Sequence, residues 1–303
     1  MQTIKQNNIT WINIASPQTD DFLFLKDRFR LTNEVLTSLS TPLKRTKIEE
    51  YSDHLFLVLH YPVFNPISRQ TIPTELDFII TKTAIATVYQ DPIPTLENIF
   101  NDCFNNQARQ KEFFKSTGFL LFHILDELID SCLPMLDHIQ ENIDEIENKI
   151  FQGQEKEMLS EIAIVKRDII DFRRTVKPQR SVLEILAKKS GRFFGQDLDF
   201  ISQEVIGSNI RVWNTLENHK EMIEAIEETN NSLLSYKLNN IVKVLTIISF
   251  VAFPLNLVTG FFSMSIFNNV PFAQSPSTYV FVLSADILIA LGLIVWFKKK
   301  KWL

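Results

Sequence analysis

Cysteine is nearly absent: Cys103 and Cys132 are the two in 303 residues, far apart and in no CxxC spacing. A disulfide framework and a cysteine zinc site are therefore excluded as organising features. Glycine is scarce too, at seven residues. Few tight turns are then expected, which favours long helices over many short strands. Positive charge is not in excess, with 31 Lys and Arg against 36 Asp and Glu, so no nucleic-acid partner is expected. The opening MQTIKQNNIT has no apolar stretch of the kind a signal peptide needs. The five histidines, at 54, 60, 123, 138 and 219, are scattered, and no HExxH, GxSxG or P-loop occurs. An enzyme is not expected, and surface or interface positions account for the histidines.

The chain also lacks charge in two long stretches. Residues 244–262, VLTIISFVAFPLNLVTGFF, carry no ionisable group. Residues 279–297, YVFVLSADILIALGLIVWF, carry one acid, Asp286. About twenty apolar residues span a bilayer core as a helix, so two membrane spans are expected. Lys243 precedes the first span, and Lys298, Lys299, Lys300 and Lys301 follow the second. The connecting residues 263–278 contain no Lys or Arg. The positive-inside rule then places both chain ends in the cytoplasm.

The preceding part reads in two styles. Up to residue 115 an α/β pattern is expected: a buried strand over 54–64 bounded by Pro62 and Pro66, and strands 76–80 and 83–89 around Thr81-Lys82. Helices are expected over 20–25 and 32–39, the latter capped by Asn33. After Lys115 the apolar spacing is helical nearly throughout. One run covers 120–151 and another 158–186, with Pro178 marking a break. A stalk from about Ser202 continues into the first span, on the order of 90 Å at 1.5 Å per residue. A helix of that length with an apolar seam calls for partners around an oligomer axis. Residues 126–161 hold eleven acids, and residues 166–192 hold nine Lys and Arg. Two solvated faces pairing as a hairpin, or an electrostatic device near a pore mouth, both fit.

The resulting order is an α/β domain over 1–115, a helical hairpin over 116–200 and a stalk over 201–243. Spans over 244–262 and 279–297, a loop between them and a basic tail over 298–303 complete it. That order, the ending VWFKKKKWL, the first-span residues VLTII, Pro254-Leu255 and Gly260, and the paired basics Lys166-Arg167 and Arg173-Arg174 before Pro178 resemble the CorA family of divalent-cation channels. The resemblance implies a homopentameric funnel in the plasma membrane (the inner membrane of a bacterium). It implies Mg²⁺ or another divalent cation as cargo, no covalent cofactor, and the bilayer and further copies of the chain as partners. By family position Asn239, Val242, Leu245, Phe253 and Asn256 would line the pore. Mg²⁺ keeps its waters, so neutral oxygens and closable apolar collars suit it.

The sequence departs from the family at the outer entrance, where Gly-Met-Asn is replaced by Ser263-Met264-Ser265 and the loop carries no acid. Altered ion choice, or a scaffold that has lost transport, are the competing readings. Glu204 takes the stalk position of a regulatory cation site, while the family's second acid falls near Thr37-Ser38, so weak or relocated feedback is expected. Asp286, close in depth to Asn256 in an antiparallel hairpin, is either hydrogen-bonded to it or satisfied by its own helix.

Overall fold

The computed structural model describes residues 1–41, 45–195, 197–263, 276–300 and 302. It divides into two compact units, Met1–Glu228 and Thr229–Leu303.

The first unit is built on a six-stranded sheet. Its strands are β1 (Gln2–Gln6), β2 (Ile9–Ala15), β3 (Lys47–Glu50), β4 (Leu55–Asn65), β5 (Gln70–Ile80) and β6 (Ala84–Tyr89). The spatial order is β1-β2-β6-β5-β4-β3, with only β2 and β6 running parallel. The sequence pattern anticipates β4, β5 and β6 but not β1, β2 or β3. β2 has the β-branched alternation of a strand, but β1 and β3 are polar edge strands with few buried side chains.

Pro62 does not bound β4; it lies inside it, opposite Pro73 of β5. The β3 pairing ends at Val58, and the β6 pairing covers only Asp77 to Ile80. Neither proline therefore removes a bond from a third strand, which is why the ladder tolerates both.

Helices α1 (Thr19–Phe29) and α2 (Asn33–Ser40) cover one face of the sheet. There Leu25, Phe29, Val35 and Leu39 pack with Ile12, Ile14, Phe56, Val58 and Ile79. The cap of α2 is Thr32, whose hydroxyl accepts from Val35 N, and not Asn33, which is the first helical residue. On the other face Trp11 meets Phe100 of α3 (Pro94–Asn105) edge to face at 5.0 Å.

A buried polar chain fixes the parallel pair. Trp11 Nε1 donates to Thr87 Oγ1 at 3.1 Å, Thr87 donates to Asn13 Oδ1 at 2.7 Å, and Asn13 Nδ2 donates to the Tyr89 hydroxyl at 3.1 Å. A one-residue slip would bury these groups without partners, so the chain selects the register.

Short α4 (Gln107–Phe113) leads to α5 (Thr117–Asp130), α6 (Cys132–Phe151), α7 (Glu155–Val176) and α8 (Gln179–Phe194). The run expected over 120–151 is thus two helices, separated at Ser131, three residues before Pro134. Gly153, at φ 92°, makes the turn into α7. The break at Pro178 is present as the start of α8.

The expected stalk and first span form one helix, α9 (Asp199–Phe262), of 64 residues. The basic side chains of α7 pair with α9: Lys166 Nζ lies 2.5 Å from Glu227, and Arg173 pairs with Glu217 and covers Trp213. Among the described ion pairs, none joins α7 to the acids of α6. α6 and α7 pack on each other as the expected hairpin, while the ion pairs of the basic α7 face reach the stalk.

Gln179 ties three elements together. Its Nε2 donates to the His60 carbonyl of β4 at 2.7 Å, and its Oε1 accepts from Asn209 Nδ2 of α9 at 3.0 Å. Both side chains are buried. Gln179→Ala leaves a carbonyl and an amide unsatisfied, at about 1–3 kcal/mol. Amide hydrogen exchange should quicken together in β4 and in α9 around Asn209, and adding Asn209→Ala should cost less than its effect alone.

In the second unit α9 continues to Phe262, and α10 (Pro276–Lys299) follows. Phe250 and Phe297 meet edge to face at 6.4 Å, and Ile247 and Phe297 are buried. Both apolar helices are long enough to cross a membrane, and only 6% of each apolar window is buried in one chain. A soluble core helix would be mostly covered, so these surfaces call for lipid or further copies.

Candidate functional site

At about 100° per residue, the α9 residues Ile247, Val251, Pro254 and Val258 share one face. All of them are buried or half-buried, on the side that meets α10. Val242, Leu245, Phe253 and Asn256 fall on the opposite face and are exposed, Phe253 at 71%. Asn239 sits at the border of that face, and it is exposed as well.

Ser249 belongs to the same face. Ser249, Asn256 and Ser263 stand seven residues apart, so each lies above the next on a gently supercoiled helix. Their local chemistry is shared. Ser249 Oγ donates to Leu245 O at 2.9 Å, Asn256 Nδ2 to Ala252 O at 3.0 Å, and Ser263 Oγ to Thr259 O at 2.7 Å. Each side chain spends a hydrogen on the preceding turn, which leaves oxygen lone pairs to face outward. Phe253 lies between the hydroxyl of Ser249 and the amide of Asn256. Sequence reading by family position misses Ser249, although the heptad interval back from Asn256 was there to find it.

The family profile described as "CorA-like Mg2+ transporter protein" matches residues 6–299. The chain belongs to the CorA family. It is 27% identical over 300 residues to the "Cobalt/magnesium transport protein CorA" of Thermotoga maritima, covering 97% of this chain and 83% of that one. It is 20% identical to the "Zinc transport protein ZntB" of Yersinia enterocolitica, covering 97% and 88%. The solved structure of the CorA magnesium transporter from Methanocaldococcus jannaschii superposes with a TM-score of 0.85 at 20% identity, covering 99% and 93%. This CorA-family chain is therefore a divalent-cation transport protein of the membrane, with an α/β N-terminal domain and two C-terminal membrane helices, and is not an enzyme.

Of the entrance triplet of this CorA homologue, Ser263 ends α9, while Met264 and Ser265 lie outside the described residues. Lys243 is half-buried and borders a cavity of about 480 Å³ with Asn239, Thr246 and Trp302. Lys298 and Lys299 end α10, Lys300 follows, and Lys301 is outside the described residues. Trp296 and Trp302 both pack on Phe297 beside these lysines.

The expected alternatives for Asp286 meet a third outcome. Its Oδ1 is buried without a hydrogen-bond partner, and the Asn256 amide donates to its own helix. In the single chain the structure records no hydrogen bond between them.

Glu204 lies on α9 near α5. Among the described residues no three His, Cys, Asp or Glu side chains are grouped to hold a metal. Asp126 of α5 nevertheless feels Glu204. Burial, then the charges of Asp130 and Glu204, push its carboxyl up to about 6. Ser208 Oγ donates to Asp126 Oδ1 at 3.5 Å. Asp126 is the acid that counting along the sequence does not find, because the acidic run reads as a solvated face until α5 is placed against α9. Thr37, near the position counted for the second acid, donates its hydroxyl to Asn33 O within α2.

A carboxyl raised from 3.8 to about 6 favours the fold at low pH, and that contribution is lost as pH climbs through about 6. Asp126→Asn should therefore gain melting temperature over the wild type as pH rises from about 4 to about 6, and Glu204→Gln should narrow that gain. Parallel melting curves across the pH series check both.

Proposed function

We propose that this chain assembles as a homopentamer in the plasma membrane and conducts divalent cations down their electrochemical gradient, with Mg²⁺ as the first cargo. One observation carries the reading: the exposed α9 face opposite α10 alternates outward oxygens at Ser249, Asn256 and Ser263 with the apolar Leu245 and Phe253. Five copies turned to a common axis make neutral oxygen rings separated by apolar collars. A hydrated Mg²⁺ can exchange hydrogen bonds with such rings without shedding its inner waters, and the collars close by dewetting.

The first ring is Asn239, above Val242, and the last is Ser263 with the entrance residues Met264 and Ser265. Both termini lie in the cytoplasm, because the lysines cluster at the ends of the two spans nearest them. The relatives' names divide between cobalt or magnesium and zinc. The pore face from Asn239 to Ser263 contains no His or Cys, so its ligands are hard or neutral oxygens and suit Mg²⁺ better than Zn²⁺. Glu204 and Asp126 together are the cytoplasmic carboxylates best placed to sense the transported ion.

Liposomes carrying the purified protein and an internal Mg²⁺ dye, with parallel Co²⁺, Ni²⁺ and Zn²⁺ reporters, test the reading. Potential-dependent Mg²⁺ entry is expected. Asn256→Leu should abolish it, and Ser249→Ala should reduce it several-fold. Entry of another ion alone corrects the cargo. No flux of any ion through protein shown to be pentameric defeats the channel reading in favour of a membrane scaffold.

A further inference from the structure

A cavity of about 710 Å³ in the first unit belongs to neither the pore face nor the Glu204 region. It is lined by the carboxyl end of β6, by His60 in the middle of β4 and by Pro73, Glu75 and Asp77 along β5, with Leu39 of α2 and the end of α7 beside them. Crevices at the carboxyl ends of parallel strands in α/β sheets commonly take ligands, and the volume falls within the range of small-molecule sites.

Its inner wall holds Asp77. This carboxylic acid interrupts a run of core residues, Leu76, Phe78, Ile79 and Ile80, in the middle of β5. It is 4% exposed, and its Oδ1 has no hydrogen-bond partner. Burial and then the charge of Glu75 hold its pKa well above the ordinary carboxylate value, and Lys47 opposes them only weakly. Lys47 is itself bonded to Glu49 at 2.9 Å. An orphan carboxyl in a core is costly, and apolar neighbours of similar size would fill the strand at lower cost. The rest of the lining carries both signs, with the acids Glu75 and Asp91 and the cations Arg45 and Arg174. Arg45 is exposed there, and Arg174 is held only by a 3.5 Å contact to Asp171.

Inside is an acid seeking a hydrogen-bond partner, and outside are two guanidinium groups with room for an anion. A metal ion does not account for this pairing, since no three ligating side chains converge among the described residues. We propose that the cavity binds a small organic molecule with a nitrogen-donor head, received by Asp77, and an anionic tail, received by Arg45 and Arg174. Purine nucleotides and basic amino acids both carry that pairing of groups. The ionised carboxylate would accept the two N–H groups of a guanine edge or of a guanidinium. The protonated acid would donate and accept at once against an adenine edge.

The test uses the full-length protein in detergent, with calorimetric titration of GMP, AMP, L-arginine and MgCl₂ at up to millimolar concentration. Saturable binding of GMP, AMP or L-arginine is expected. It should weaken about tenfold or more in Asp77→Leu and in Arg174→Ala, the loss of one charge-assisted contact. Preference for GMP, AMP or L-arginine identifies the head group. Asp77→Leu should melt at or above the wild-type temperature, because it removes a buried orphan and touches no bond of the fold. Should that variant fail to fold, Asp77→Asn, which preserves shape, carries the same comparison. The proposal is overturned if none of the three organic probes binds, if they bind Asp77→Leu or Asp77→Asn as tightly as wild type, or if only MgCl₂ binds in an Asp77-dependent way.

Discussion

A backbone amide inside hydrocarbon has no water to turn to, and every N–H and C=O there must find its partner within the chain. The 64 residues of α9 meet that demand by never leaving the helix. The side chains reinforce it. Thr246, Ser249, Asn256, Thr259 and Ser263 each return a hydrogen to a carbonyl on the preceding turn. The apolar span can therefore carry polar groups without exposing unsatisfied ones to lipid. The same economy lets it tolerate Pro254, which withdraws one donor from the ladder. What an assembly can display on its axis is then limited to the oxygens those side chains have left over.

The first unit follows the same accounting with different means. Its buried polar groups are committed in chains that each tie distant segments. Trp11, Thr87, Asn13 and Tyr89 fix the parallel strands, Asp168 takes the Thr71 amide and so holds α7 on β5, and Gln179 joins β4 to α9. Against that pattern an uncommitted carboxyl such as Asp77 stands out, as the one buried carboxyl of the sheet whose Oδ1 is left without a partner among the described residues.

The long elements were legible in the sequence because their signals are long. Two nineteen-residue apolar runs, the second broken only by Asp286, and an apolar seam without proline from 179 to 253 specify α9 and α10 with little help from context. β4, β5 and β6 were legible for a similar reason, as dense runs of β-branched and aromatic residues. The polar edge strands β1 and β3 were not, since an edge buries few side chains and so writes little into the pattern. Pro62 misled for a physical reason, because proline stops a strand only where a third strand needs its N–H. The face proposed to line the pore was partly legible. Asn256 and Phe253 came from resemblance, whereas Ser249 emerged once its place opposite α10 was known. Asp126 and Asp77 were illegible, since an acid in a helix of acids or beside Glu75 declares nothing until its surroundings are known.

The seven-residue interval of Ser249, Asn256 and Ser263 sets a length. A heptad of helix rises about 10.5 Å, so in the proposed pentamer successive oxygen rings are spaced by that distance along the axis. Two divalent ions held one ring apart would repel each other by about 1.6 kcal/mol even if bulk water filled the gap, and by more in a drier passage. With no carboxylate on that face to offset the repulsion, an ion arriving at one ring loosens the ion at the next. In the proposed pentamer the spacing of three modest side chains would thus act as a metering rule, trading tight capture of one cation for prompt release of its predecessor.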